Sequence, residues 1–89
     1  MVWKIIVDDK ALKVLQKLDK AVASRIIDFI ENRLVVAENP RVFGAALQGA
    51  KFGKYWKYRV GDYRLIAKID DEVITITVVK VGNRKEVYR

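Results

Sequence analysis

The sequence predicts an α+β fold: an N-terminal strand, two antiparallel helices, then a three-stranded antiparallel meander (β-α-α-β-β-β), with both helices on one face of a single sheet. Three observations lead there. Apolar residues recur at helical spacing from about position 8 to position 40. Runs of strand length, rich in β-branched and aromatic residues, flank that stretch, one before it and three after it. The dipeptides Gly61-Asp62 and Asp70-Asp71 separate the last three runs and read as tight turns.

Each element follows in order. Val2-Trp3-Lys4-Ile5-Ile6-Val7 is short, β-branched and strand-like. Asp8-Asp9 supplies an N-cap and a first-turn acid for a helix through about Leu18. Ala11, Leu12, Leu15 and Leu18 form its apolar stripe, with Lys10, Lys13 and Lys17 facing out. Asp19 caps the second helix, whose buried stripe is Val22, Ile26, Phe29, Ile30 and Leu34. Pro40 sets its latest end, because the residue before proline avoids the α region. Arg41 to Gly53 reads as a loop punctuated by Gly44, Gly49 and Gly53. The strands that follow span roughly Lys54–Val60, Tyr63–Ile69 and Glu72–Val81.

Composition narrows the function. The 89 residues make one domain, 1–89, large enough for a single modest core. There is no cysteine and no histidine, so disulfides, thiolate metal sites and imidazole chemistry are all excluded. The cysteine-free composition fits a reducing cytoplasm. No apolar run approaches the roughly 20 residues that span a bilayer, and the first residues open directly into a strand pattern without a signal peptide. Charge is uneven. Residues 1–50 carry eight Lys/Arg against six Asp/Glu, whereas residues 51–89 carry ten against five. The basic half also holds all four tyrosines.

Two-residue turns fix which side chains share a face. Val60 then lies opposite Tyr63, Arg59 opposite Arg64, Tyr58 opposite Leu65, Lys57 opposite Ile66 and Trp56 opposite Ala67. Trp56, Tyr58, Val60, Tyr63, Leu65, Ala67, Ile74, Ile76 and Val78 collect on one face, the core side. Tyr55, Lys57, Arg59, Arg64, Lys68, Thr75 and Thr77 collect on the other. Two arginines directly opposed repel by some tenths of a kcal/mol when solvated, and an anionic ligand relieves that repulsion. Cations interleaved with aromatics suit a phosphodiester backbone with stacking bases. Without a ligand, the same surface is the solvated basic side of a half-buried sheet.

The sequence resembles the RelE branch of the RelE/ParE toxins of toxin–antitoxin systems. The resemblance covers nearly the whole chain: Lys10-Ala11-Leu12-Lys13-Val14-Leu15-Gln16-Lys17-Leu18 after the first strand, then Leu47-Gln48-Gly49, then Trp56-Lys57-Tyr58-Arg59-Val60-Gly61-Asp62-Tyr63-Arg64-Leu65, and finally Val81-Gly82-Asn83-Arg84-Lys85-Glu86-Val87-Tyr88-Arg89. It implies a cytoplasmic toxin that enters the ribosomal A site and cuts mRNA by 2′-OH transesterification, without metal or cofactor. A cognate acidic, RelB-like antitoxin holds it inactive, and no membrane is involved. The alternatives are a ParE-like toxin that poisons gyrase through protein contacts, and a non-catalytic basic RNA-binding module.

Such a cleavage deprotonates a 2′-OH, stabilises a dianionic phosphorane and protonates the departing 5′-oxygen. Histidine usually moves both protons. Without it, a lysine or tyrosine whose pKa is lowered by neighbouring cations serves as base, and arginine forks stabilise the transition-state charge. By the resemblance, Arg64 contacts the phosphate and Arg84 stabilises or protonates the leaving oxygen. Tyr88 is a base or a stacking group, and Lys57 a base or a phosphate stabiliser. Lys54, Tyr55, Arg59, Lys68 and Lys85 complete the expected RNA-binding surface. Two positions depart from the family pattern: Tyr55 replaces a second strand lysine, and Asn83 stands where relatives often carry a basic residue.

Overall fold

A computed structural model describes residues 2–47 and 55–83. The elements are β1 (Lys4–Val7), α1 (Asp9–Lys17), α2 (Lys20–Phe29), a π-helical turn (Ile30–Leu34), a 3-10 turn (Pro40–Phe43), β2 (Gly44–Ala46), β3 (Tyr55–Val60), β4 (Tyr63–Asp70) and β5 (Thr75–Asn83). The strands form one sheet in the order β1-β5-β4-β3-β2. β1 runs parallel to β5 and the other pairs are antiparallel. The α+β architecture and the meander are therefore as the sequence predicts. β1 is shorter than expected because Trp3 leaves the ladder: its ring is buried and its Nε1 donates to the Ala37 carbonyl at 3.0 Å.

Both expected helix caps are in place. The Asp8 carboxylate accepts from the Asp9 amide at 2.9 Å and the Asp19 carboxylate from the Ala21 amide at 3.2 Å. Asp9 in the first turn of α1 and Lys17 in its last both complement the helix dipole. Ala11, Leu15, Ile26, Ile30 and Leu34 from the helical layer meet Tyr58, Leu65, Ala67, Ile76, Val78 and Val81 from the sheet in a single core. Leu65, Ile76 and Val78 are fully buried, each worth about 1.5–3 kcal/mol relative to exposure. Leu12, expected in the buried stripe of α1, is instead exposed.

Two expectations need correction. The stretch read as a loop from Arg41 onward begins with the 3-10 turn and β2, which pairs Gly44 with Tyr58, Ala45 with Lys57 and Ala46 with Trp56. Buried side chains hold it there: the Tyr58 hydroxyl donates to the Pro40 carbonyl at 2.9 Å and Trp56 Nε1 to the Arg41 carbonyl at 3.0 Å. The β4–β5 turn is also longer than two residues, so β5 begins at Thr75, not near Glu72. Asp70 pairs with Thr75, and its carboxylate accepts from the Glu72 amide at 3.1 Å, the local hydrogen bond that lets Asp open a turn. Ile74 closes that turn at φ 48° while packing against the core.

The β3–β4 turn is the expected one. Val60 pairs with Tyr63, and Gly61 takes φ 61°, the left-handed conformation that a tight hairpin demands of its first turn residue. This turn sets the register of the strands that carry the candidate site.

Candidate nucleic-acid interface

Register places five of the sequence-predicted residues together. Tyr55 pairs with Lys68, Lys57 with Ile66 and Arg59 with Arg64, so all five candidates point away from the helices. Lys57 and Arg64 are diagonal neighbours, about 7–8 Å apart at the backbone. Lys54, Arg84, Lys85 and Tyr88 lie outside the described residues. Asn83, one of the two departures, pairs with Tyr63 and so falls on the helix side of the sheet at its end.

Arg64 is only 9% exposed, whereas Arg59 opposite it is exposed. Its Nη1 donates to the Tyr63 carbonyl at 3.2 Å, and no carboxylate among the described residues pairs with it. A largely buried guanidinium without a counter-ion is costly unless a ligand supplies the charge. Lys57, Arg59 and Arg64 also line a cavity of about 220 Å³ whose far wall is Gly44 and Ala45 of β2. Small residues make that wall possible. A Cβ on Gly44 would collide with the Lys57 carbonyl and the Tyr58 ring, so glycine is what lets β2 close on β3.

Of the tyrosines on β3, Tyr58 faces the core, and burial pushes its phenol well above the usual range. It is a structural hydrogen-bond donor and unsuited to taking a proton. Opposite the basic face, Arg41 forms a bidentate pair with Asp71 at 3.0 and 2.7 Å and lies over the Trp56 ring at 5.9 Å. That pair raises the guanidinium's pKa and holds the Asp71 carboxyl below its ordinary range. It anchors the β2 segment to the β4–β5 turn.

Sequence reasoning missed two contributors. One is β2, whose Gly-Ala-Ala composition carries no β-propensity signal. The other is Lys80. Strict alternation from Ile76 and Val78 would turn Lys80 toward the helices, but a bulge shifts the register between Ile66 and Ala67: Ala67 pairs with Val78 and Ile66 with Lys80. Lys80 therefore joins Lys57 and Ile66 in one row. The signal was the Val78-Val79-Lys80-Val81 spacing, since Val78 and Val81 are both buried and three positions apart.

Comparison with known proteins gives a consistent picture. A family model described as the ParE toxin of the type II toxin–antitoxin system parDE matches residues 5–88. The mRNA interferase toxin RelE of Escherichia coli K12 is 34% identical over 84 residues, covering 91% of this chain and 84% of that protein. A chain of the toxin–antitoxin complex RelBE2 from Mycobacterium tuberculosis superposes with a TM-score of 0.84 at 25% identity, covering 94% of this chain and 100% of that one. The isolated RelE toxin of Escherichia coli superposes with a TM-score of 0.73 at 29% identity, covering 97% and 90%.

Proposed function

The chain belongs to the ParE-toxin family of type II toxin–antitoxin systems, and from that membership we propose that it is a RelE-type endoribonuclease that cuts mRNA in the ribosomal A site. The observation that carries this reading is Arg64: a residue only 9% exposed that has no carboxylate partner among the described residues and borders a cavity with Lys57 and Arg59. The kinship to a named mRNA interferase supports the same activity.

In this reading the 2′-oxygen attacks the adjacent phosphorus and gives up its proton to Lys57 or Tyr88. A 2′,3′-cyclic phosphate forms, the bond to the 5′-oxygen breaks, and Arg84 stabilises or protonates that departing oxygen. Arg64 meets the charge that builds on the non-bridging oxygens, where a planar fork is worth more than a point charge. Tyr55, Arg59 and Lys68 hold the RNA strand, with Lys54 and Lys85 extending that hold. The ribosome orients the substrate, which a site without histidine needs in order to reach a useful rate. Residues 1–89 act as one toxin domain in the cytoplasm, where its substrate lies. Among the described residues no helix is long and apolar enough to cross a membrane.

Structures of RelE relatives with their RelB antitoxins favour a similar partner here. A chain of net charge +7 recruits an acidic, flexible antitoxin efficiently. The ParE description of the matching model keeps one rival, action on gyrase through protein contacts. Mapping mRNA ends on programmed ribosomes separates the two. Codon-phased cuts are expected; supercoiling defects with intact mRNA would replace this reading with the gyrase one.

A further inference from the structure

We propose that Lys80 is a further RNA-contacting residue of this site, placed there by the β5 bulge to hold a phosphate of the substrate strand across from Lys57. The inference rests on the nuclease reading above. Lys57, Ile66 and Lys80 occupy one row across β3, β4 and β5. At about 4.8 Å between strands, the two lysine backbones stand roughly 10 Å apart. Ile66 between them is 3% exposed, a low floor over which two four-carbon stems can converge on one anion. In the neighbouring row Arg64 faces Gly82, which has no side chain.

Lys80 is exposed and has no ion-pair partner among the described residues. Its position depends on the extra residue in β5; without it, alternation would direct this cation into the core. Bulges of this kind re-aim a side chain, and the one re-aimed here is a cation beside other cations. The same extra residue turns Val81 into the core, so the bulge serves packing and leaves Lys80 on the basic face. The strand edge also borders a cavity of about 340 Å³ against α1, lined by Lys10, Ala11, Val14, Val79 and Lys80 itself. Lys10 therefore serves as the comparator: it shares that cavity but belongs to the helix layer.

The test uses the full chain and two measurements, single-turnover cleavage of ribosome-bound mRNA and the salt dependence of binding to a short single-stranded RNA. Lys80→Gln is expected to slow cleavage about tenfold and to reduce the slope of log K against log salt by about 0.7, one phosphate contact on a single strand. Lys80→Arg should retain both values, and Lys10→Gln should change neither. Wild-type rate and slope in Lys80→Gln would overturn the inference while leaving the nuclease reading intact. Equal losses in Lys10→Gln would overturn the sheet-face placement. A wild type that leaves ribosome-bound mRNA uncut would refute the functional reading, and the salt slope would still decide whether Lys80 meets RNA.

Discussion

Arg64→Ala separates activity from stability, because the two effects differ greatly in size. If Arg64 stabilises the phosphorane, its loss should lower cleavage by about 10²–10³-fold, equivalent to roughly 2.7–4 kcal/mol of transition-state stabilisation. The folding cost should be much smaller. The variant gives up one hydrogen bond, to the Tyr63 carbonyl at 3.2 Å, worth about 0.5–1.5 kcal/mol net, together with some stem packing. Against this, it relieves the opposition to Arg59, about 0.2–1 kcal/mol, and no described carboxylate loses a partner. The net change should stay within about 1 kcal/mol, or some 4–8 °C in melting temperature for a domain of this size. Single-turnover cleavage on programmed ribosomes, paired with urea denaturation, reads both quantities. Arg64→Lys should recover only part of the rate, since it restores charge without the fork. Cleavage within threefold of wild type in Arg64→Ala would refute the assignment. A rate loss accompanied by a collapsed urea midpoint would refute the claim that the residue acts on chemistry.

Tyr58→Phe leaves the Pro40 carbonyl without its donor and should cost about 1–3 kcal/mol in urea denaturation. Because burial raises the Tyr58 phenol above its unfolded value, the unfolded state releases that proton first, and stability should fall as pH climbs past about 10. Tyr58→Phe should flatten that alkaline limb; an unchanged limb would contradict the burial argument. Gly44→Ala puts a methyl into the Lys57 carbonyl and the Tyr58 ring, so β2 must lift, at about 1–3 kcal/mol. Hydrogen exchange should show lost protection along the β2 edge of β3, and unchanged protection there would show that the strand adapts. The Arg41 pair lowers the Asp71 carboxyl, so its contribution is present above the ordinary carboxylate range and disappears as pH falls through the lowered value. Asp71→Asn should remove that acid-side loss, most visibly at low salt because the carboxylate is exposed. Identical acid limbs in the two proteins would rule the pair out as a contributor.

The sheet register was legible because two local signals agreed. Gly61 favoured the tight turn, and along β3 and most of β4 apolar and basic residues alternate between the two faces, Ile66 on the basic face being the exception. Tyr58 opposite Leu65 and Arg59 opposite Arg64 followed at once. The helix caps were legible because Asp8 and Asp19 immediately precede apolar periodicity. β2 was hidden because Gly44, Ala45 and Ala46 are strand residues by tertiary context: what keeps them in the sheet is the Tyr58 and Trp56 hydrogen bonds to Pro40 and Arg41. The burial of Arg64 was hidden too, since alternation tells which face a residue occupies and not how deeply it sits. Lys80 needed a break in alternation to be seen, and a bulge leaves only the three-residue spacing of Val78 and Val81 as its trace.

In the proposed function one surface serves both RNA and an antitoxin, and the placement of acids fits that double use. Asp8 and Asp19 cap helices, while Asp70 and Asp71 organise the β4–β5 turn. On the basic face, the described strand residues offer Lys4, Lys57, Arg59, Arg64, Lys68 and Lys80, and the acid on that side is Asp70, at the end of β4 with its carboxylate accepting from the Glu72 amide. Among the described residues no carboxylate pairs with Arg64 or Lys80, so these two cations are open to the negative charge of a ligand. In the proposed function a phosphate backbone supplies that charge during cleavage, and an acidic antitoxin segment would supply it at rest. Two ligands that meet the same cations weaken each other's binding at this face by the same factor, since linkage is reciprocal. On that reading, inhibition by an antitoxin seated on this face would require no rearrangement of the core, because occupying the cations would be enough.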